Sequence, residues 1–316
     1  KGRLTRFLQD SLSGASRIVT IDGFTGALSS VANVEKISIA DANGVWLRLE
    51  TVALDWNRAA LLKGRLEVNS LSAKTITLTR QPASDPAAPT PEATPFSLPD
   101  LPVSVDIGAI KAEKITIGKD VFGSPLTAKL AGQLSLSGGQ GSANIALNRT
   151  DDIAGAFLLR AGFDNVTRQL TVDLSATEAR DGLVATLLNI PDRPSIALTV
   201  SGDAPLSAFG ADLSLATDGT ERIKGRLTTT TQQETETVSA QQSLSFDING
   251  DLSPLVETRF RPFFGTQTSL SAMARKEADG RLHLENLTLE TAAMRLSGKA
   301  VVAPTNLPES FAFDVA

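Results

Sequence analysis

The chain has 316 residues, no cysteine, one histidine and a formal net charge of −5, with 41% hydrophobic and 21% charged residues. Those proportions describe a globular chain and exclude disulfides, thiolate chemistry and sulfur-ligated metals. The acidic balance also argues against nucleic acid as a partner, because that recognition relies on clustered cations.

No apolar run reaches the roughly 20 residues of a membrane-spanning helix, no signal-peptide pattern is present, and the first residue is Lys1. The expectation is a piece of a longer, processed chain. Residues 1–13 predict a short juxtamembrane helix: Leu4, Phe7, Leu8 and Leu12 fall at helical spacing, and Gly14 can end it. Lys1, Arg3 and Arg6 make its polar side basic, so Arg3 and Arg6 are the membrane-proximal candidates. Ordinary solvated charge on a packed helix is the plainer reading.

Residues 14–80 predict an N-terminal β unit with one short helix. Arg17 to Leu28 carries a strand and a turn, and Ile37 with Ile39 begins an alternating strand. Asp41-Ala42-Asn43-Gly44 is a hairpin signal, since Asn-Gly supplies the positive φ of tight turns. The following run places Val45, Leu47 and Leu49 on one face. Its phase then slips to Val52, Leu54 and Trp56, as an inserted bulge residue would cause. Asn57 can cap a helix over Arg58 to Lys63, with Gly64 ending it. Two further strands are expected around Leu66–Val68 and Thr75–Leu78.

Residues 81–102 form a proline-rich loop. Prolines at 82, 86, 89, 91, 95, 99 and 102 forbid a central strand and disfavour a helix interior.

Residues 103–316 predict an extended β segment with one apolar and one polar face, the mark of antiparallel sheet. Ile145 and Leu147, then Phe157 and Leu159, begin the apolar series. Leu170, Val172 and Leu174 continue it, followed by Ile196, Leu198 and Val200. Leu213 and Leu215, then Leu244, Phe246 and Ile248, repeat the pattern. Leu282 and Leu284 are offset from Leu287 and Leu289, a second phase slip. Gly-Arg-Leu recurs at Gly64, Gly225 and Gly280 as a lead into strands. Two helical interruptions are expected: Gly182 to Leu188, capped by Asp181, and a helix from Ser253-Pro254 to about Phe260. The polar tract from Thr228 to Gln242 reads as a solvent-facing strand pair or a loop.

Little here supports catalysis, a metal or a cofactor. His283 lies between Leu282 and Leu284, so alternation turns it to the polar face, without a second histidine to share a metal. Gly138-Gly139-Gln140-Gly141 joins two strands, which makes it a hairpin loop rather than a phosphate loop. An open sheet of this many strands is unusual, and ordinary sheets close or split beyond about 10 strands. Periodicity leaves two solutions: sandwiches, or a curved sheet whose apolar face forms a trough. A carbohydrate-binding sandwich is disfavoured by the absence of tyrosine and by only two tryptophans.

The motifs Asp41…Gly44-Val45-Trp46-Leu47, Leu54-Asp55-Trp56 and Leu61-Leu62-Lys63-Gly64-Arg65-Leu66 carry a resemblance. So, more loosely, do Ile21-Asp22-Gly23-Phe24, Asp181-Gly182-Leu183 and Gly250-Asp251-Leu252-Ser253-Pro254-Leu255. Together they resemble the N-terminal periplasmic region of the TamB family, within the AsmA-like proteins. That resemblance implies a mainly β fold, a long curved antiparallel-type sheet forming an open hydrophobic groove, similar to chorein-type bridge lipid carriers. It implies no enzyme activity, and phospholipid as the passenger in the groove between inner and outer membranes. It further implies a periplasmic location, with an inner-membrane anchor preceding Lys1. The partner implied is an outer-membrane protein of the Omp85 class (TamA or BamA), met through a C-terminal part beyond this chain. The runner-up function is a protein-binding scaffold for assembly or secretion of outer-membrane β-barrel proteins. On either reading Leu54 and Trp56, with Leu61 and Leu62, are expected to seal one end of the groove.

Overall fold

Alternation makes strands here, and the turn residues end them where the sequence indicates. The computed structural model describes residues 17–26, 31–83, 103–232, 241–276, 280–304 and 307–316, with 9, 13, 14 and 98 besides. Arg3, Arg6 and most of the proline-rich segment lie outside these residues. The chain is mainly β and divides into two units, 1–159 and 160–316.

In the first unit β1 (Ile18–Asp22) and β2 (Thr25–Gly26) both pair with β3 (Val31–Asp41). The sheet continues through β4 (Gly44–Asn57) to β5 (Arg65–Arg80). Next come β6 (Ser104–Gly118), β7 (Leu126–Ser137) and β8 (Gln140–Arg149). A final strand, β9 (Gly155–Asp164), straddles the boundary between the units.

The turn between β3 and β4 forms at Asp41–Gly44, with the Asn43 N–H donating to Asp41 Oδ1 at 2.8 Å. The β7–β8 hairpin turns at Gly138 and Gly139, with φ of 56° and 73°. After β4 comes η1 (Arg58–Lys63), a 3₁₀ helix. Asn57 caps it, its side chain accepting from the Ala59 N–H at 3.1 Å, and Gly64 closes it in the left-handed region.

The two strands expected around Leu66–Val68 and Thr75–Leu78 are one strand, β5, of 16 residues. Between them lie two phase slips, at Asn69 with Ser70 and at Lys74 with Thr75, which hide continuity from a reading based on alternation. The pairing of β5 with β6 is parallel, the exception among otherwise antiparallel registers. A parallel neighbour needs a long return connection. A strand the length of β5 spans about 50 Å. Residues 81–103 are the chain that makes this return between β5 and β6. The composition shift therefore marks a crossover rather than a boundary between domains. Beyond β6 a single helical turn, α1 (Lys119–Phe122), leads into β7.

The second unit starts with the latter half of β9, which pairs with β10 (Gln169–Glu178). Antiparallel order then follows the sequence through β11 (Ile196–Pro205), β12 (Gly210–Thr217), β13 (Thr220–Gln232) and β14 (Gln241–Gly250). It ends with β15 (Thr268–Lys276), β16 (Leu282–Glu290), β17 (Arg295–Val302) and β18 (Pro308–Val315). In the polar tract from Thr228 to Gln242, β13 runs to Gln232 and β14 starts at Gln241, while 233–240 lie outside the described residues. Gly225 sits inside β13 rather than ahead of a strand.

Helical interruptions occur where expected but are shorter. The first is α2 (Leu183–Leu187), with Gly182 at its N-cap. Asp181 does not cap it, because its backbone has turned to φ 61°; the Glu178 carboxylate instead accepts from the Val184 N–H at 2.7 Å. A turn η2 (Leu206–Ala208) joins β11 to β12. The helix expected from Ser253 to Phe260 is two 3₁₀ turns, η3 (Ser253–Leu255) and η4 (Thr258–Phe260), followed by α3 (Arg261–Phe264). Among the described residues no helix is long and apolar enough to cross a membrane.

Candidate functional site

Residues opposite each other in a ladder share a face, so the registers decide which apolar side chains form one surface. In the second unit Leu170, Val172 and Leu174 stand opposite Ala204, Gly202 and Val200. Leu198 and Val200 then meet Leu215 and Leu213, which meet Ile223 and Gly225. Gly225 and Leu227 meet Ile248 and Phe246, and Thr229 meets Leu244. On the far side of β15, whose Leu270, Ala272 and Ala274 continue the set, lie Leu289 and Leu284.

The phase slip in β16 is a bulge between Leu284 and Leu287, where Asn286 takes φ 49°. Without it Leu282 with Leu284, and Leu287 with Leu289, would face opposite ways. With it all four share the face that runs on to Leu296 and to Phe311, Phe313 and Val315. Every expected groove residue from Leu170 to Leu289 therefore lies on one apolar surface. The β15, β17 and β18 residues were missed by the sequence reading, although Phe311, Phe313 and Val315 alternate plainly in Pro-Glu-Ser-Phe-Ala-Phe-Asp-Val.

The first unit builds a surface of the same kind. On β6 the apolar residues Val105, Ile107, Ile110, Ala112, Ile115 and Ile117 are spaced by two and three in turn. Their β7 partners Leu136, Leu134, Gly132, Leu130, Ala128 and Leu126 are spaced strictly by two. Two bulges in β6 absorb the difference and keep all six on one face. Parallel pairing carries the same spacing to β5, and antiparallel pairing, with a register shift between Asp55 and Trp56, continues the face through Leu47, Leu49, Val52, Leu54 and Trp56 of β4. Ile145 and Leu147 of β8 stand opposite Gly132 and Leu130, so both belong to it. On β9 Phe157 is 36% exposed and Leu159 is half-buried.

Most of these side chains are half-buried, and among the described residues no large side chain is fully buried. A facing sheet would bury the middle rungs, as sandwich cores do. Among the described residues of each unit, the main contacts of a strand are instead with the strands beside it in the sheet.

The opposite face of the second unit is polar along matching rungs. Asp173, Ser201, Asp212, Arg226 and Asp247 succeed one another across five strands. Arg226 pairs with Asp212 at 2.6 Å, and Arg160 with Asp173 at 3.2 Å. A depression of about 390 Å³ on this side is lined by Ser201, Asp212, Lys224, Arg226, Asp247 and Asn249. Its alternating charges suit water. His283 is half-buried and stands opposite Arg275 and Val301.

Both ends of the apolar surface are covered between β10 and β13. At one end Ala185 of α2 and Ile190, 0% and 5% exposed, pack on Ile196 and Leu215, with Val184, Leu198, Ile223 and Leu255 around them. At the other end Phe209 crosses Gly202, where an added Cβ would come within 2.8 Å of the ring. Phe263 and Phe264 meet edge to face at 5.1 Å, while Phe260 stands apart, exposed beneath the Arg259 guanidinium.

The end seal expected in the first unit does not form as drawn. Leu54 and Trp56 lie on the apolar face, but Leu61 is 40% and Leu62 is 92% exposed. The tight 3₁₀ winding of η1 turns Ala60 inward instead, and Ala60 is the buried residue there.

Three carboxylates are held below their ordinary range. Asp41 is lowered first by the Arg80 guanidinium and then by the Ala83 N–H. For Asp218 the Ser195 N–H leads and Arg180 adds to it. Burial alone would raise Asp151, but Arg149 and the N–H groups of Thr127 and Ile153 outweigh it. All three sit at strand ends and tie turns together. No family model, curated protein or solved structure matches the chain.

Proposed function

We propose that this chain is a non-enzymatic hydrophobic track, a segment that shields phospholipid acyl chains in transit between the inner and outer membranes. The observation that carries this reading is the single apolar surface of the second unit. It runs through successive strands from β10 to β18, and its rungs are left half-exposed instead of packed against a second layer. Sequestering a chain of about 16 carbons from water is worth on the order of 12 kcal/mol. A Leu, Ile, Val and Phe surface supplies that through contact area alone, with no catalytic group or cofactor. The resemblance to AsmA-like proteins supports the same reading and supplies its setting. There the track is periplasmic, anchored at the inner membrane, and passes its cargo toward an Omp85-class partner.

Mass spectrometry of the purified chain tests this reading. Phospholipid is expected to co-purify, and Val172→Asp or Phe246→Asp, each setting a charge among the apolar rungs, is expected to remove most of it. The strand signal in circular dichroism should stay unchanged. Folded variants that retain their full lipid complement would overturn the proposal.

A further inference from the structure

The connection from β10 to β11 is far longer than its job requires. Glu178 and Ile196 stand directly opposite each other, so a tight hairpin of about two to five residues would join them. Residues 179–195 intervene instead and fold back over the apolar face. There Ala185 and Ile190 cover Ile196 and Leu215.

Beyond that apolar packing, the stems of the flap are tied by polar contacts at the surface. Asp218, in the β12–β13 turn, accepts from the Ser195 N–H at 3.0 Å and from Ser195 Oγ at 3.1 Å, and pairs with Arg180 at 2.8 Å. Arg180 also donates to the Asp192 carbonyl at 3.1 Å, and the Asp181 N–H donates to the Arg193 carbonyl at 3.0 Å. Both stems therefore gather at one exposed carboxylate.

The flap's backbone takes uncommon conformations at its bends. Asp181, Asn189, Asp192 and Arg193 have φ of 61°, 51°, 60° and 40°, a region that side-chain-bearing residues disfavour. Its helix also carries two large apolar side chains that the closed packing leaves out. Leu187 is 55% and Leu188 is 59% exposed.

We propose that residues 179–195 are a self-occluding lid over this end of the track, an inference that rests on the hydrocarbon-track reading above. Closed, the lid substitutes Ala185 and Ile190 for the missing cargo and keeps Ile196 and Leu215 from water. When a hydrocarbon chain arrives, the lid lifts about its stems at Arg180 and Ser195. Leu187 and Leu188 then close over the chain, and the contacts exchanged are apolar on both sides.

Since the chain has no cysteine, a double substitution Ala185→Cys with Leu215→Cys can tie the lid down reversibly. The readout is uptake of a pyrene-labelled phosphatidylcholine from vesicles, together with hydrogen exchange of amides 183–190. The oxidised form should take up several-fold less lipid than the same protein after reduction. Exchange at 183–190 in the wild type should quicken when lipid is present. As a variant that leaves the apolar surface untouched, Asp218→Asn should raise lipid-free exchange at these amides by about threefold, the worth of an exposed ion pair. Exchange in β11 and β12 should not move. Equal uptake by oxidised and reduced protein would overturn the lid while leaving the track intact. No uptake by the wild type would overturn both. Unchanged exchange in Asp218→Asn would overturn the part given to Asp218 in holding the stems.

Discussion

Asp41 ties three stretches of the first unit together. Its carboxylate accepts from Arg80 Nη1 and Nη2 at 2.8 and 2.5 Å, and from the backbone N–H groups of Asn43 and Ala83. Arg80 also donates to the Gly44 carbonyl at 2.8 Å, so the β3–β4 turn, the end of β5 and the start of the crossover meet at one ion pair. The Asp41 side chain is 5% exposed, which shields the pair from salt. Arg80 holds this carboxyl well below the usual carboxylate range. A group depressed in the folded state stabilises the fold above its unfolded pKa of about 3.9, and that contribution fades as pH falls toward the folded value. Urea midpoints measured between pH 6 and pH 2, values set by that window, should therefore drop with acid in the wild type. The drop should be shallower in Asp41→Asn. Parallel curves for the two proteins would remove Asp41 from the acid response.

The element that most departs from simple strand behaviour is β4. Its phase slip falls at Thr51, a β-branched residue with φ 51°. The registers on either side of it are unbroken, because β3 and β5 slip at the same level. That shared kink keeps Leu47 and Leu49 on the same face as Val52 and Leu54. A left-handed conformation costs a side-chain-bearing residue about 1–2 kcal/mol, and glycine's greater unfolded entropy returns about 0.5–1 kcal/mol of any relief. Thr51→Gly is thus expected to stabilise the chain by about 0.5–1 kcal/mol in urea denaturation, with no shift in strand content. A destabilised variant would mean that the Thr51 side chain has a role the backbone geometry does not explain. The slip itself was legible, since Leu47, Leu49, Val52, Leu54 and Trp56 break alternation once. The joined strand β5 was not, because a strand with an internal slip looks like two strands with a gap.

For each unit as a whole, the absence of a fully buried large side chain among the described residues has a thermodynamic consequence. Denaturant sensitivity scales with the surface newly exposed on unfolding. A sheet whose apolar rungs are half-exposed in the folded state gains less new surface when it unfolds. The urea m-value should accordingly fall below that of a compact two-layer protein of equal length. Phospholipid vesicles should raise the midpoint, as any ligand bound only by the folded state does. An m-value typical of compact proteins would point to cover over the apolar face.

The sequence by itself determined the strands whose apolar residues alternate without interruption, such as β10, β11 and β14, and which side of each is apolar. It also set where the hairpins turn, at Asn43-Gly44 and Gly138-Gly139, and where η1 begins and ends. Those features depend on neighbours two to four residues apart, so composition and spacing carry them. Only the tertiary structure decided how the strands align. The two-and-three spacing of β6 becomes one surface only through bulges matched against β7, and β5 lies parallel to β6 only because the proline-rich connection returns the chain. The flap at 179–195 settles on Ile196 and Leu215, and Leu62 stays outside the seal its sequence suggested. Each of these outcomes rests on contacts between residues far apart in the chain, where a hydrophobic side chain meets whichever apolar surface the registers have brought near.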